Sequence, residues 1–387
     1  MKPHELAPTA IADAMKMAVG EMWRFAHNIG DYYKPPSKRW IGQKHRTIDA
    51  LYKSPKKKLK LLHRWFQQKR LAHPCAHGGV VRRSCFTSAV CHLGNRYVWI
   101  RDCSDCYPSV TPESMQAELK AIGFRHETAS LLTLLFTVRG HVPQGSPISG
   151  DAINLLFWRV DHDLASFCGR NNLAYTRVAD DFVVSGKERD RGDEAVQRIE
   201  AGLANRGIKV NKKKRDRHGF QPNAGRQLVH SILVNRRRGT AISHGQREAA
   251  IQVATKYVEG CRSIQPDSIE GVAYKRSQLC GWMHYCRQAT YSPALHLRKQ
   301  LKVGDRLVQR RLRSLKLVPH QNKWWLITKK RNEPRRLANL WRRRLILLPI
   351  SARLSRAPET LSTARRPVLR VASGLGGTAC LSSNAYS

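Results

Sequence analysis

From Leu173 to Val184, two apolar strand-like runs flank a tight turn that carries two adjacent acids, Asp180 and Asp181. Near-continuous apolar strands bury both faces, whereas aspartate is seldom buried without a partner. The segment is therefore expected to form an interior hairpin with charge at its tip. A third strand-like run, Arg96-Tyr97-Val98-Trp99-Ile100, leads to another acid, Asp102. An Asp-Asp pair in a turn is ordinarily a solvated surface feature. Apolar strands on both sides, and a third acid ending another strand, reverse that reading.

The surrounding pattern is that of a mixed α/β chain. Residues 11–30 and 56–72 read as helices, the second with a basic and an apolar face. Thr111 caps a helix with Pro112 at its first position and Met115, Leu119 and Ile122 on one stripe. A longer helix is expected from Ser149, because Ile153, Leu156, Phe157, Val160, Leu164 and Phe167 form one seam at helical spacing. Val196, Ile199 and Leu203 mark another helix, residues 227–235 a further strand, and residues 244–290 a small helical bundle. Beyond about residue 312 the pattern gives way to Arg-rich stretches and a Ser-, Gly- and Ala-rich end that reads as disordered.

A formal net charge of +41, spread over most of the 387 residues, is the footprint of a polyanion binder. Ten cysteines without a framework point to a reduced, cytoplasmic setting. The longest apolar run, Leu131 to Val138, is too short to span a bilayer, so no membrane partner is expected. Cys103 and Cys106 form a C-x-x-C, and His73, Cys75 and His77 lie close together. No second well-spaced pair completes four zinc ligands, which favours packed free thiols.

Three ordered stretches carry a family resemblance. Trp99-Ile100-Arg101-Asp102-Cys103-Ser104-Asp105-Cys106-Tyr107-Pro108, Val142-Pro143-Gln144-Gly145-Ser146-Pro147-Ile148-Ser149 and Tyr175-Thr176-Arg177-Val178-Ala179-Asp180-Asp181-Phe182 resemble motifs A, B and C of reverse transcriptases, and the likeness extends over roughly residues 25–290. The resemblance implies an α+β right-hand polymerase fold, with fingers, a palm whose antiparallel sheet is flanked by helices, and a helical thumb. It places an N-terminal extension and fingers at residues 1–95, the palm with interleaved fingers elements at 96–238, the thumb at 239–312, and a basic extension at 313–387.

For the site, the resemblance implies that Asp102, Asp180 and Asp181 converge to hold two Mg²⁺ ions, with Mn²⁺ as a substitute. Like charges at about 4 Å repel by about 4 kcal/mol at an effective dielectric of 20, so such a cluster calls for a cation. Tyr107 falls where reverse transcriptases carry an aromatic that occludes the ribose 2′-hydroxyl, which implies deoxynucleotide substrates. Gln144 and Gly145 match the loop that meets the incoming nucleotide. Arg82 and Arg83 resemble a fingers segment that grips the triphosphate, and Lys214, one of four consecutive basic residues at 212–215, matches the motif D lysine that protonates pyrophosphate.

Within the family, Ser88-Ala89-Val90-Cys91-His92 resembles the retron and defence-associated groups. Retron enzymes typically carry N-A-x-x-H there and V-T-G after motif D. Ser88 replaces the Asn, Val229-His230-Ser231 takes the second place, Val178 stands at the usual Tyr before the catalytic aspartates, and Gly150 at a usual Pro. The implied function is RNA-directed DNA synthesis in a retron or anti-phage system, with a structured non-coding RNA, a DNA product, dNTPs and an effector protein as partners. The alternative is a maturase-like RNA-binding protein on the same scaffold. Trp324, Trp325 and Trp341, among C-terminal basic residues, are candidates for stacking on bases.

Overall fold

The computed structural model describes residues 5–41, 44–235, 239–264, 268–314, 317–320 and 323–326. These fall into two compact units, one up to Ala241 and one from Ile242. The side chains of Trp324, Trp325 and Trp341, like most of the basic extension, lie outside what is described.

The first unit opens with helices α1 (Pro8–Met15) and α2 (Val19–His27), the hairpin β1 (Ser37–Ile41) and β2 (Lys44–Ile48), then α3 (Lys53–Lys69) and α4 (Cys85–Val90). The helix expected over 11–30 is two helices, because Lys16 turns left-handed at φ 56° and closes the first. Strand β3 (Tyr97–Asp102) leads through α5 (Cys106–Ser109), α6 (Pro112–Ala121) and α7 (His126–Phe136) to α8 (Ser149–Leu156) and α9 (Trp158–Arg170). Thr111 caps α6 by accepting from the Ser114 amide at 3.2 Å.

The hairpin β4 (Ala174–Val178) and β5 (Asp181–Gly186) follows, then α10 (Arg189–Ala204), α11 (Lys212–His218), β6 (Phe220–Pro222), β7 (Leu228–Val229) and β8 (Ile232–Leu233). Four strands form an antiparallel sheet in the order β4-β5-β3-β6. Trp99, Phe182 and Val184 from this sheet join Phe157, Leu164, Ile199 and Leu203 from the helices in one buried core.

Two expectations are corrected. The seam from Ile153 to Phe167 is buried throughout, but Phe157 interrupts the helix between α8 and α9. The interruption seats the Phe157 ring edge-on against Phe182 at 5.1 Å. The strand expected over 227–235 is a hairpin, since His230 and Ser231 both take positive φ (49° and 66°). Two consecutive left-handed residues make the two-residue turn that matches strand twist. Without the usual Asn-Gly, that turn does not announce itself.

The second unit contains α12 (His244–Arg262), α13 (Ile269–Cys286) and α14 (Ala294–Ser314), which pack on one another, and a strand pair Leu317–His320 with Lys323–Leu326. No described helix is long and apolar enough to cross a membrane.

Candidate active site

Strand register builds the site. Antiparallel pairing of β3 with β5 sets Asp102 opposite Asp181, and pairing of β4 with β5 sets Val178 opposite the same residue. The turn between them passes through Ala179 at φ 54°. Such a backbone is costly for a residue with a Cβ and persists only where its surroundings hold it. Here Arg177 holds it. Its guanidinium, fully buried, donates to the Ala179 carbonyl at 2.8 Å and to Asn154 Oδ1 at 3.2 Å. The same group pairs with Asp161 through Nε (2.9 Å) and Nη2 (2.6 Å), and Tyr175 donates its hydroxyl to Asp161 at 2.6 Å.

On the other side of the turn runs the segment Cys75–Gly78. Its backbone pairs with Arg177, and a Cβ on Gly78 would fall 2.3 Å from the Ala179 amide nitrogen. Only glycine admits that approach.

Asp102 is buried and fully engaged. Its Oδ1 accepts from Lys214 Nζ at 2.6 Å, its Oδ2 from Asn211 Nδ2 at 2.9 Å, and its carbonyl from the Asn211 amide at 2.7 Å. Asn211 also caps α11 by accepting from the Lys214 amide. One asparagine thus places the helix and the carboxylate that its lysine meets. Lys214 reaches Asp181 Oδ1 as well, at 3.7 Å, and of the basic run 212–215 it is the residue brought onto both acids.

The facing carboxylates titrate as a pair. Burial and the bond to Asp181 push Asp102 up, against the pull of Lys214. Asp181 is held below the usual carboxylate range because His230, Asp102 and Lys214 together outweigh its burial. Burial and then the Asp181 charge raise Asp180 too. Tyr107, in α5, is pushed up to about 12 by burial first and by the Asp180 charge next.

The three expected aspartates are therefore gathered at one end of the sheet, but two of them meet and the third lies alongside. Among the described residues, no group of three or more His, Cys, Asp or Glu is disposed to hold a metal ion by itself. The donor set still fits a hard divalent cation. Two carboxylates face each other across a position where Lys214 already supplies positive charge, and such ions complete their shell with water and substrate phosphate. Cys103 and Cys106 are free and buried, and their mutual hydrogen bond and burial hold the Cys103 thiol well above its ordinary range.

The Gln144–Gly145 loop is fastened to the end of β2. The Asp49 amide donates to the Gln144 carbonyl at 2.8 Å, and the Gln144 amide donates to Asp49 Oδ2 at 3.1 Å. Gly145, at φ 130°, lies where a Cβ would sit 2.8 Å from the Asp49 carbonyl oxygen. Arg83 donates through Nη1 to the carbonyls of Pro74 and Ala76. Arg82 lines a cavity of about 980 Å³ with His63, Arg64, Arg70 and Asp151, whose walls include none of the three aspartates. Arg46 of β2 is within electrostatic reach of Asp180 and, with Arg177, of Tyr107.

Sequence reasoning missed Arg46, Asn211, Arg177 and His230. The available signals were slight: basic residues in a short hairpin, an Asn just before a lysine run, and an arginine inside an apolar strand.

Residues 36–220 match the family described as reverse transcriptase (RNA-dependent DNA polymerase). Retron Mx65 reverse transcriptase of Myxococcus xanthus is 30% identical over 65% of this chain and 61% of its own length. Retron Mx162 reverse transcriptase of the same organism is 33% identical over 46% and 41%, and retron Ec86 reverse transcriptase of Escherichia coli 26% over 41% and 51%. The chain thus spans less than two thirds of the length of each of these relatives. A solved telomerase from Candida albicans overlays with a TM-score of 0.40 at 12% identity, over 75% of this chain and 63% of that one. That overlay is too loose to bear on function.

Proposed function

From a chain whose residues 36–220 match the reverse transcriptase family and which is similar to retron reverse transcriptases, we propose an RNA-directed DNA polymerase that extends a primer with dNTPs on a structured non-coding RNA, in a retron serving anti-phage defence. The observation that carries this reading is the register of Asp102 with Asp181 at the end of the sheet. Family membership brings a general dependence on divalent metal, and here Asp102, Asp180 and Asp181 would hold two Mg²⁺ ions. Bound there, the metal supplies charge neutralisation on the triphosphate and lowers the pKa of the primer 3′-hydroxyl.

The chain's own residues do the rest. Lys214 carries a proton on Nζ next to both carboxylates, where it can pass to departing pyrophosphate. Arg46 draws the triphosphate toward the site. Tyr107 closes the space a ribose 2′-hydroxyl would need, and the loop at Gln144, clamped by Asp49, meets the incoming nucleotide. The unit beginning at Ile242 is assigned as a thumb over the nucleic acid, and an effector protein and the DNA product complete the partners.

Primer extension on an RNA template, with Mg²⁺ and labelled dNTPs, tests the reading. The Asp180→Asn plus Asp181→Asn protein is expected to give no product, and extension equal to the parent would overturn the assignment. RNA affinity should fall steeply with salt, since most of it would come from released counterions.

A further inference from the structure

Two of the places where the sequence departs from the family pattern touch each other. Ser88 Oγ and His230 Nε2, 142 residues apart in the chain, are 3.0 Å apart in space. The other ring nitrogen of His230, Nδ1, lies 3.7 Å from Asp181 Oδ2. Behind Ser88 the contacts continue inward: Ser88 Oγ to Thr176 Oγ1 at 2.7 Å, Thr176 Oγ1 to His92 Nε2 at 2.7 Å, and His92 Nδ1 to Ser185 Oγ at 2.7 Å. Asn95 Nδ2 donates to Ser185 Oγ at 2.7 Å and closes the series. Ser88, His92, Thr176 and Ser185 are each buried to within about 2% exposure.

Each hydroxyl, and each neutral imidazole, has a single proton to donate. With Asn95 donating to Ser185, one self-consistent polarity runs down the series. Ser185 donates to His92 Nδ1, His92 Nε2–H to Thr176, Thr176 to Ser88, and Ser88 to His230 Nε2. Nε2 of His230 then accepts, so the ring proton sits on Nδ1 and points at Asp181. The tautomer of a histidine that supports a functional carboxylate is set by what its other nitrogen meets, and a fully satisfied buried network holds one arrangement.

We propose that His230 is a positioning residue: its Nδ1–H, fixed by Ser88 and the network behind it, orients the Asp181 carboxylate toward Asp102. Ser88 and His230 are thereby one device, which accounts for both departures occurring in the same chain. Its consequence for synthesis rests on the polymerase reading above; the tautomer itself does not.

Two measurements on the full-length chain test it. In long-range ¹H–¹⁵N correlation spectra, with the His230 signals assigned by their disappearance in His230→Asn, the ring is expected as the Nδ1–H tautomer, and Ser88→Ala should shift it toward Nε2–H. A parent ring protonated on Nε2, or an unchanged tautomer in Ser88→Ala, overturns the proposal whether or not the protein polymerises.

In primer extension, His230→Ala is expected to lower kcat about tenfold with KM for dNTP nearly unchanged, the usual size of a supporting-residue effect. His230→Asn should recover most of that loss, because its Nδ2 offers a donor near the place of Nδ1 and asparagine tolerates the φ of 49° at this position. Adding Ser88→Ala to His230→Ala should cost nothing more. Parent-like kcat in His230→Ala, no recovery in His230→Asn, or additive losses in the double variant each overturn the proposal. A parent that extends primers while Asp180→Asn/Asp181→Asn does not keeps such a failure separate from that of the polymerase reading.

Discussion

Each unit of the chain contains a Tyr-Asp-Arg cluster, and the two are built almost alike. In the first, Arg177 grips Asp161 through Nε and Nη2 while Tyr175 donates to the same carboxylate. In the second, Arg276 grips Asp305 through Nε (2.8 Å) and Nη2 (2.9 Å) while Tyr257 donates to it at 2.5 Å. They differ in burial and in what else the arginine does. Arg177 and Asp161 are wholly buried, and Arg177 has further donors on Asn154 and the Ala179 carbonyl. Arg276 and Asp305 keep 15% and 18% of their side-chain exposure and tie α13 to α14. The same chemistry serves as a helix clasp in one unit and as the brace of the strained turn that carries Asp180 and Asp181 in the other.

The largest expected effect separates those roles. Arg177→Met leaves the Asp161 charge buried with no cation beside it and Tyr175 as its remaining side-chain donor, which should cost about 3–5 kcal/mol in urea unfolding and abolish extension. Replacing the whole cluster, with Tyr175→Phe, Asp161→Leu and Arg177→Met together, should restore much of the stability but not the activity, because the Ala179 carbonyl still lacks its donor. Stability and extension returning together would mean the brace is only structural. Arg276→Met, at a pair that keeps some contact with water, should cost about 1–2 kcal/mol.

A pair of glycines sharpens the contrast. A Cβ on Gly78 meets backbone, the Ala179 amide at 2.3 Å, whereas one on Gly304 meets the Tyr257 ring at 2.2 Å. A ring can shift and a pinned turn cannot. Gly78→Ala should therefore destabilise by about 2–3 kcal/mol and reduce extension, and Gly304→Ala should cost less and show mainly in thermal melting.

Acid should act on the first unit. Burial lowers His73 and His77 to about 4 and His92 to about 3. The unfolded chain takes up these protons first, so their stabilisation is complete above about pH 6.5 and is lost as pH falls toward the folded values. For His92 alone the loss between pH 6.5 and 5 is on the order of 2 kcal/mol, seen as a falling urea midpoint. The smallest effect is expected from Tyr257→Phe, about 1 kcal/mol for one hydrogen bond.

Much of the site was legible because its chemistry needs particular residues at particular intervals. Asp102, the Asp180-Asp181 pair, Tyr107 and Lys214 stand out by register, and the structure gathers them at one end of the sheet. Arg82 and Arg83 looked equally apt. Local sequence shows that a guanidinium is present, but not that Arg83 donates to loop carbonyls or that Arg46 comes within electrostatic reach of Asp180. The turn at His230 was read as strand for a similar reason: apolar flanks record burial, whereas a positive φ at a non-glycine residue is imposed by what surrounds it.

Alternating and helical periodicity determined the elements, the buried seam and the acids at strand ends, since these follow from which side chains water excludes over a few residues. Tertiary structure alone decided which acid meets which, that Lys214 reaches both Asp102 and Asp181, and that Ser88 and His230, far apart in the chain, join behind Asp181. Those outcomes depend on distances of a few ångströms between separate elements, and only packing sets them.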